Sequence, residues 1–232
     1  MIKHISSGIF AITILAYSFV TDAQPSEEIL QWEPDIRRFE HLDSTETYSG
    51  DAILFVGSSS IRLWTSLAED MEPFPIIQRG YGGAKLSDLE YYAERIIYPH
   101  ECRAVVLFVA NDIVGNDADK TPDEVAALAG NILSIIRRKM PSVPVFYIAT
   151  TPTPLRWEVW PQISAANDKI KAIYNASENA CFIETDFAYL DDQRLPRKEL
   201  FRDDQLHLNG QGYRIWTGII KAALKKVLGD GD

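Results

Sequence analysis

The sequence predicts an α/β fold in which a five-stranded parallel sheet is sandwiched between two layers of helices. Three observations predict it. Strand-like and helix-like segments alternate along the chain, and right-handed crossovers then place helices on both faces of a parallel sheet. The first strand-like segment, Ala52-Ile53-Leu54-Phe55-Val56, is apolar throughout rather than alternating, which suits a strand covered on both faces. The chain has 232 residues, 46% hydrophobic and 24% charged, enough for one domain with a good core.

Each element has its own signal. Ser26 to His41 reads as a helix with Ile29, Leu30, Trp32, Ile36 and Phe39 on a partly apolar face, and Thr45 to Gly50 as a turn. Pro75-Ile76-Ile77 marks a short second strand, Ala104 to Val109 a third, Val143 to Ala149 a fourth and Cys181-Phe182-Ile183 a fifth. Between them, Leu86, Leu89, Ala93, Ile96 and Ile97 recur at helical spacing. Thr121-Pro122-Asp123-Glu124 is a capping box with proline in the first turn. The helix it opens buries Val125, Leu128, Ile132, Ile135 and Ile136, and ends before Pro141 and Pro144. Pro161 opens another helix, with Ile163, Ala166, Ile170 and Ile173 inward. Asn209 caps the last, which buries Tyr213, Trp216, Ile220 and Leu224.

Residues 1–23 stand apart. Lys3 and His4 precede an apolar stretch from Ile9 to Val20, followed by Thr21-Asp22-Ala23. This predicts a secretory signal peptide cut after Ala23, leaving a single domain over 24–232 exported to the periplasm or outside the cell. The apolar stretch is shorter than the roughly 20 residues a spanning helix needs, so no stable membrane insertion is expected. The net charge of −10, with basic residues scattered rather than clustered, argues against nucleic-acid binding. Cys102 and Cys181 open the third and fifth strands. With one strand between them they stand about 9.6 Å apart, beyond the roughly 7 Å a disulfide spans, so free thiols are expected.

Open parallel sheets place their chemistry at the carboxyl ends of the strands. Strand one ends in Gly57-Ser58-Ser59-Ser60, where a serine either caps the next helix or points a nucleophilic hydroxyl out of the sheet. Strand two ends in Arg79-Gly80-Tyr81-Gly82-Gly83, either a plain turn or a backbone free to approach a ligand. Strand three leads to Asn111-Asp112, an Asx turn or a carboxamide donor. Asp204-Gln205-Leu206-His207 precedes the last helix, where a carboxylate three residues before a histidine can fix its tautomer. Of the four histidines, His4 lies in the leader, His41 on the first helix and His100 at the opposite end of the sheet. No paired-Cys, H-x-E or H-E-x-x-H spacing is present, and no metal or other cofactor is expected.

Together these four loops resemble the SGNH, or GDSL-like, lipase/acylhydrolase family over about residues 50 to 226. Phe55-Val56-Gly57-Ser58-Ser59-Ser60-Ile61-Arg62-Leu63-Trp64 and Asp204-Gln205-Leu206-His207-Leu208-Asn209 carry the likeness. The resemblance implies a flavodoxin-like sheet of order 2-1-3-4-5. It also implies Ser59 as nucleophile, His207 as general base and Asp204 as its orienter, with Ser59, Gly83 and Asn111 as oxyanion donors. Two positions depart from the family pattern: Ser58 replaces the aspartate of Gly-Asp-Ser, and Val109 replaces the glycine of Gly-x-Asn-Asp.

The expected activity is cleavage of carboxylic esters through an acyl-enzyme, on short-chain acyl or acetyl groups of a small molecule or saccharide. No large apolar lid segment is evident, which disfavours long-chain lipids. Arg156 and Trp157, beyond strand four, either bind substrate, gripping a carboxylate or stacking on a sugar, or belong to a loop anchored by the tryptophan. The alternatives are a non-catalytic carbohydrate or ligand binder, a lysophospholipase or thioesterase, and a nucleotide or flavin binder using the serine-rich turn for phosphate.

Overall fold

The computed structural model describes residues 25–230, so the leader predicted over 1–23 lies outside the described residues. Five strands, β1 (Ile53–Gly57), β2 (Ile76–Gly80), β3 (Ala104–Phe108), β4 (Val145–Ile148) and β5 (Ala180–Ile183), form one sheet of order β2-β1-β3-β4-β5. Every pairing is parallel. The helices are α1 (Glu27–Leu30), α2 (Glu33–Thr45), α3 (Ser59–Arg62), α4 (Leu67–Asp70), α5 (Leu86–Ile97), α6 (Pro122–Lys139), α7 (Trp160–Asn175) and α8 (Gly210–Leu228).

The alternation of side chains along β1 feeds two separate cores. Leu54 and Val56 face the core built with α2, α5, α6 and α7. Ile53 and Phe55 face the other, with α3, α4 and α8. All five β1 residues are buried, which is why the segment lacks the polar alternation of a one-sided strand. Under α3 the second core is aromatic: Trp64 stacks on Tyr213 with ring centres 5.2 Å apart, and Phe108 meets Trp216 edge-on at 4.7 Å.

The expected helix from Ser26 to His41 is broken at Gln31-Trp32, and its second half runs on to Thr45. Pro34 sits in the first turn of α2 and lacks the N–H that would continue the earlier turn. Trp32 at the break is pinned elsewhere: its indole N–H donates to Asp88 at 3.0 Å, and its ring packs edge-on against Tyr81. The two cysteines are free, as their spacing predicted.

Two glycines let the carboxyl edge of the sheet close up. A Cβ on Gly57 would stand 2.0 Å from the Phe108 carbonyl oxygen, and one on Gly80 would stand 2.3 Å from the Arg62 nitrogen. At the same point the Ser58 N–H donates to Phe108 O at 3.0 Å. Gly57→Ala is therefore expected to cost about 3 kcal/mol or more through overpacking against backbone. A urea unfolding curve checks this, and an unchanged midpoint would refute the close approach.

Candidate active site

Ser59 begins α3, and a single turn of helix follows it. The turn is held by three hydrogen bonds from two side chains. Gln78 Nε2 donates to the carbonyls of Ile61 and Trp64 at 2.5 and 3.1 Å, and the Tyr213 hydroxyl donates to Ser60 O at 2.8 Å. So short a helix has little macrodipole. What it offers is local: as a first-turn donor, the Ser59 N–H has no acceptor among the described residues.

His207 comes from a tight turn between Phe201 and Leu208, which bridge antiparallel. Arg202 N–H donates to His207 O at 2.8 Å, and Gln205 takes a φ of 55° to close the turn, a left-handed conformation that carries strain in a non-glycine residue. Asn209 fixes the exit. Its Oδ1 caps α8 through Gln211 N–H and Gly212 N–H, and its Nδ2 donates to Glu199 O and Phe201 O.

These supports set three side chains in line. Ser59 Oγ lies 2.9 Å from His207 Nε2, and His207 Nδ1 lies 2.6 Å from Asp204 Oδ2. The other Asp204 oxygen accepts the N–H groups of Leu206 and His207, each at 2.9 Å. Partial burial opposes ionisation of Asp204, but the hydrogen bonds from the His207 ring and the two backbone amides outweigh it and hold the carboxyl at about 2. Asp204 is thus a carboxylate at neutral pH, and its contact keeps the Nδ1 proton on the ring and leaves Nε2 to face the serine.

A small recess opens beside Ser59 and His207, with a volume of about 20 Å³, roughly the space for one water molecule or a methyl group. Asn111 and Arg156 line it, with Phe108, Thr151 and Trp216 deeper in the wall. Thr151 Oγ1 and Trp216 Nε1 are buried there without a hydrogen-bond partner among the described residues. Thr150, at the head of this loop, is locked by Asn167, whose amide both accepts from its N–H and donates to its carbonyl. The position of Thr151-Pro152-Thr153 after β4 brings that stretch to this edge, but nothing in the sequence assigns its threonines a role. Trp216 had no signal, because its spacing on α8 is that of a core residue.

The remaining expected residues fall differently. Asn111 lines the recess despite Val109, which packs in the α5–α7 core without a positive φ. The Asn111 amide donates to Ala84 O at 2.9 Å. Gly83 sits exposed in the turn before α5, outside the recess lining, with its N–H unbonded among the described residues and open space where a Cβ would stand. Asp112 turns inward and accepts the Leu86 N–H at 2.9 Å. Arg156 reaches the recess, but its guanidinium is directed to Ala110 O and Asn111 Oδ1. Trp157 is not brought to the recess: it stacks on Trp160, with ring centres 6.2 Å apart. His100 is buried beside Asp43 and Tyr48, remote in the fold from Ser59.

Comparison with known structures finds the same fold. A Streptococcus pneumoniae protein assigned as a platelet activating factor superposes with a TM-score of 0.74 at 20% identity, covering 85% of this chain and 94% of its own. A GDSL-like lipase from Bacteroides thetaiotaomicron gives 0.72 at 18% identity, covering 83% and 98%. An acetyl xylan esterase gives 0.62 at 21% identity, covering 75% and 99%. No curated protein matches the sequence. Residues 44–215 match the GDSL-like Lipase/Acylhydrolase family, a span that holds Ser59, Asn111 and His207 alike. The chain accordingly belongs to the GDSL-like lipase/acylhydrolase family and is an ester-cleaving hydrolase.

Proposed function

We propose that the protein is a serine esterase that removes acetyl or similarly short acyl groups, with Ser59, His207 and Asp204 as its catalytic triad. The observation that carries the proposal is the unbroken line from Ser59 Oγ through the His207 ring to Asp204. In the first step His207 Nε2 takes the hydroxyl proton as Ser59 Oγ bonds to the ester carbonyl carbon. The carbonyl oxygen becomes an oxyanion, for which the Ser59 N–H, the Asn111 amide and the Gly83 N–H are the candidate donors. The alcohol leaves with the proton returned from His207. Water then attacks the acyl-Ser59 ester by the same route and releases the acid.

The recess argues for a short acyl group. Its volume is about 20 Å³, on the scale of a single water molecule, which favours a short acyl group over a long one. The leader-like segment from Lys3 to Ala23 supports export, where acetylated saccharides are natural substrates to test. Measured on p-nitrophenyl esters from acetyl to decanoyl, kcat/KM is expected to fall at least about tenfold by octanoyl. A lipid-binding groove predicts the opposite trend, since each buried methylene is worth about 0.8 kcal/mol. A rate that climbs with chain length would therefore overturn the short-acyl assignment.

A further inference from the structure

We infer that Arg156 is a positioning residue for ester hydrolysis: it fixes the Asn111 side-chain amide in the orientation that turns its N–H toward the oxyanion. The inference rests on the esterase reading above and assigns to that site a part no substrate contact would require. Arg156 Nη2 donates to Asn111 Oδ1 at 2.7 Å, while Nη1 donates to the neighbouring Ala110 carbonyl. One planar group thus holds a side-chain and a main-chain oxygen of the same loop, the two-point geometry at which a guanidinium excels.

The contact decides which end of the amide faces which way. A carboxamide rotated by half a turn would set its NH₂ against a guanidinium that only donates. With Oδ1 committed to Arg156, Nδ2 must point the other way. There one of its hydrogens reaches Ala84 O at 2.9 Å, and the second has no acceptor among the described residues. A cation on the amide oxygen also polarises the amide and makes that free N–H a stronger donor.

Val109-Ala110-Asn111 contains no glycine, and its carbonyls are tied from the β4 side. The Tyr147 hydroxyl donates to Val109 O at 3.3 Å, and Arg156 takes Ala110 O. Arg156 itself sits on a 3₁₀ turn, Pro154–Val159, that Thr153 caps. The Leu155 N–H of that turn donates to Gln205 O at 3.1 Å, inside the turn that carries His207. The donor loop and the base loop are therefore fastened to one another through the Arg156 turn. A guanidinium with two oxygens already in its fork is poorly placed to seize a substrate carboxylate.

A double-mutant cycle on p-nitrophenyl acetate tests this. Asn111→Ala is expected to lower kcat by about 10²–10³-fold, the loss typical of one oxyanion donor. Arg156→Ala is expected to lower kcat by about 10–10²-fold with KM changed less than about threefold, because it disorders that donor without removing it. In the Asn111→Ala background the same change is expected to cost less than about threefold, since its target is gone. Arg156→Lys, which can reach one oxygen but not both, is expected to fall between wild type and Arg156→Ala. Where Arg156→Ala does not fold, Arg156→Gln carries the same cycle, with labelling by a fluorophosphonate reporting an intact Ser59–His207 pair. Losses that multiply in the double variant, or that fall on KM, would overturn the inference while leaving the esterase reading in place. Activity retained by Ser59→Ala would overturn both.

Discussion

Ser59→Ala is expected to bring hydrolysis of p-nitrophenyl acetate down by about 10⁶-fold, close to the rate in buffer, and His207→Ala to do nearly the same. The geometry gives the reason. Among the described residues the base within reach of Ser59 Oγ is His207 Nε2 at 2.9 Å, and a neutral hydroxyl is a poor nucleophile without one. Removing the nucleophile strands the base, and removing the base leaves the serine protonated, so the two losses do not add. The double variant is expected to be no slower than either single one, with a residual rate from the oxyanion donors alone. Neither change touches the core, because Ser59 and His207 are only partly buried at the sheet edge, so unfolding midpoints should stay near wild type. Ser58 and Ser60 flank Ser59 and both line the recess. If one of them were the nucleophile, Ser59→Ala would retain most of the activity and of the fluorophosphonate labelling.

Asp204→Asn is expected to lower kcat by about 10⁴-fold with little change in KM. The carboxamide keeps an oxygen for the N–H groups of Leu206 and His207, so the turn should hold. Its NH₂, however, would face His207 Nδ1 across the present 2.6 Å contact. Nδ1 would then have to accept, and the ring proton would move to Nε2, the atom that must receive the proton of Ser59. The pH dependence follows from the sign of the shift. The Asp204 carboxyl is depressed to about 2, so its contribution to stability is in full force above the ordinary carboxylate range and disappears as pH falls toward 2. Asp204 therefore stays ionised from neutral pH down to well below the ordinary carboxylate range. A loss smaller than about tenfold in Asp204→Asn would mean that Asp204 does not set the tautomer.

Much of the fold was legible because its signals are local. The unbroken apolar run of β1, the Thr121–Glu124 capping box and Asn209 before α8 each announce an element from a few adjacent residues. The site was legible through topology. Ser59 and His207 are 148 positions apart, yet parallel strands send all their carboxyl ends to one edge, so loops that follow strands must meet there. The exceptions are instructive. The docking of the Trp32 indole depends on Asp88, 56 residues away, and neither residue's own neighbourhood shows it.

The pair Arg156 and Trp157 marks where sequence and structure part. By itself the sequence determined the layer order, the strands and the residue types delivered to the catalytic edge, because periodicity and turn chemistry act over a few residues. Only the tertiary structure decided what each long side chain does on arrival. It sent Arg156 to Ala110 and Asn111 and Trp157 to Trp160, and it placed Trp216 in the wall of the recess. The physical reason is reach: a guanidinium or indole on a loop finds its partner among groups supplied by other strands, and those are neighbours in space without being neighbours in sequence.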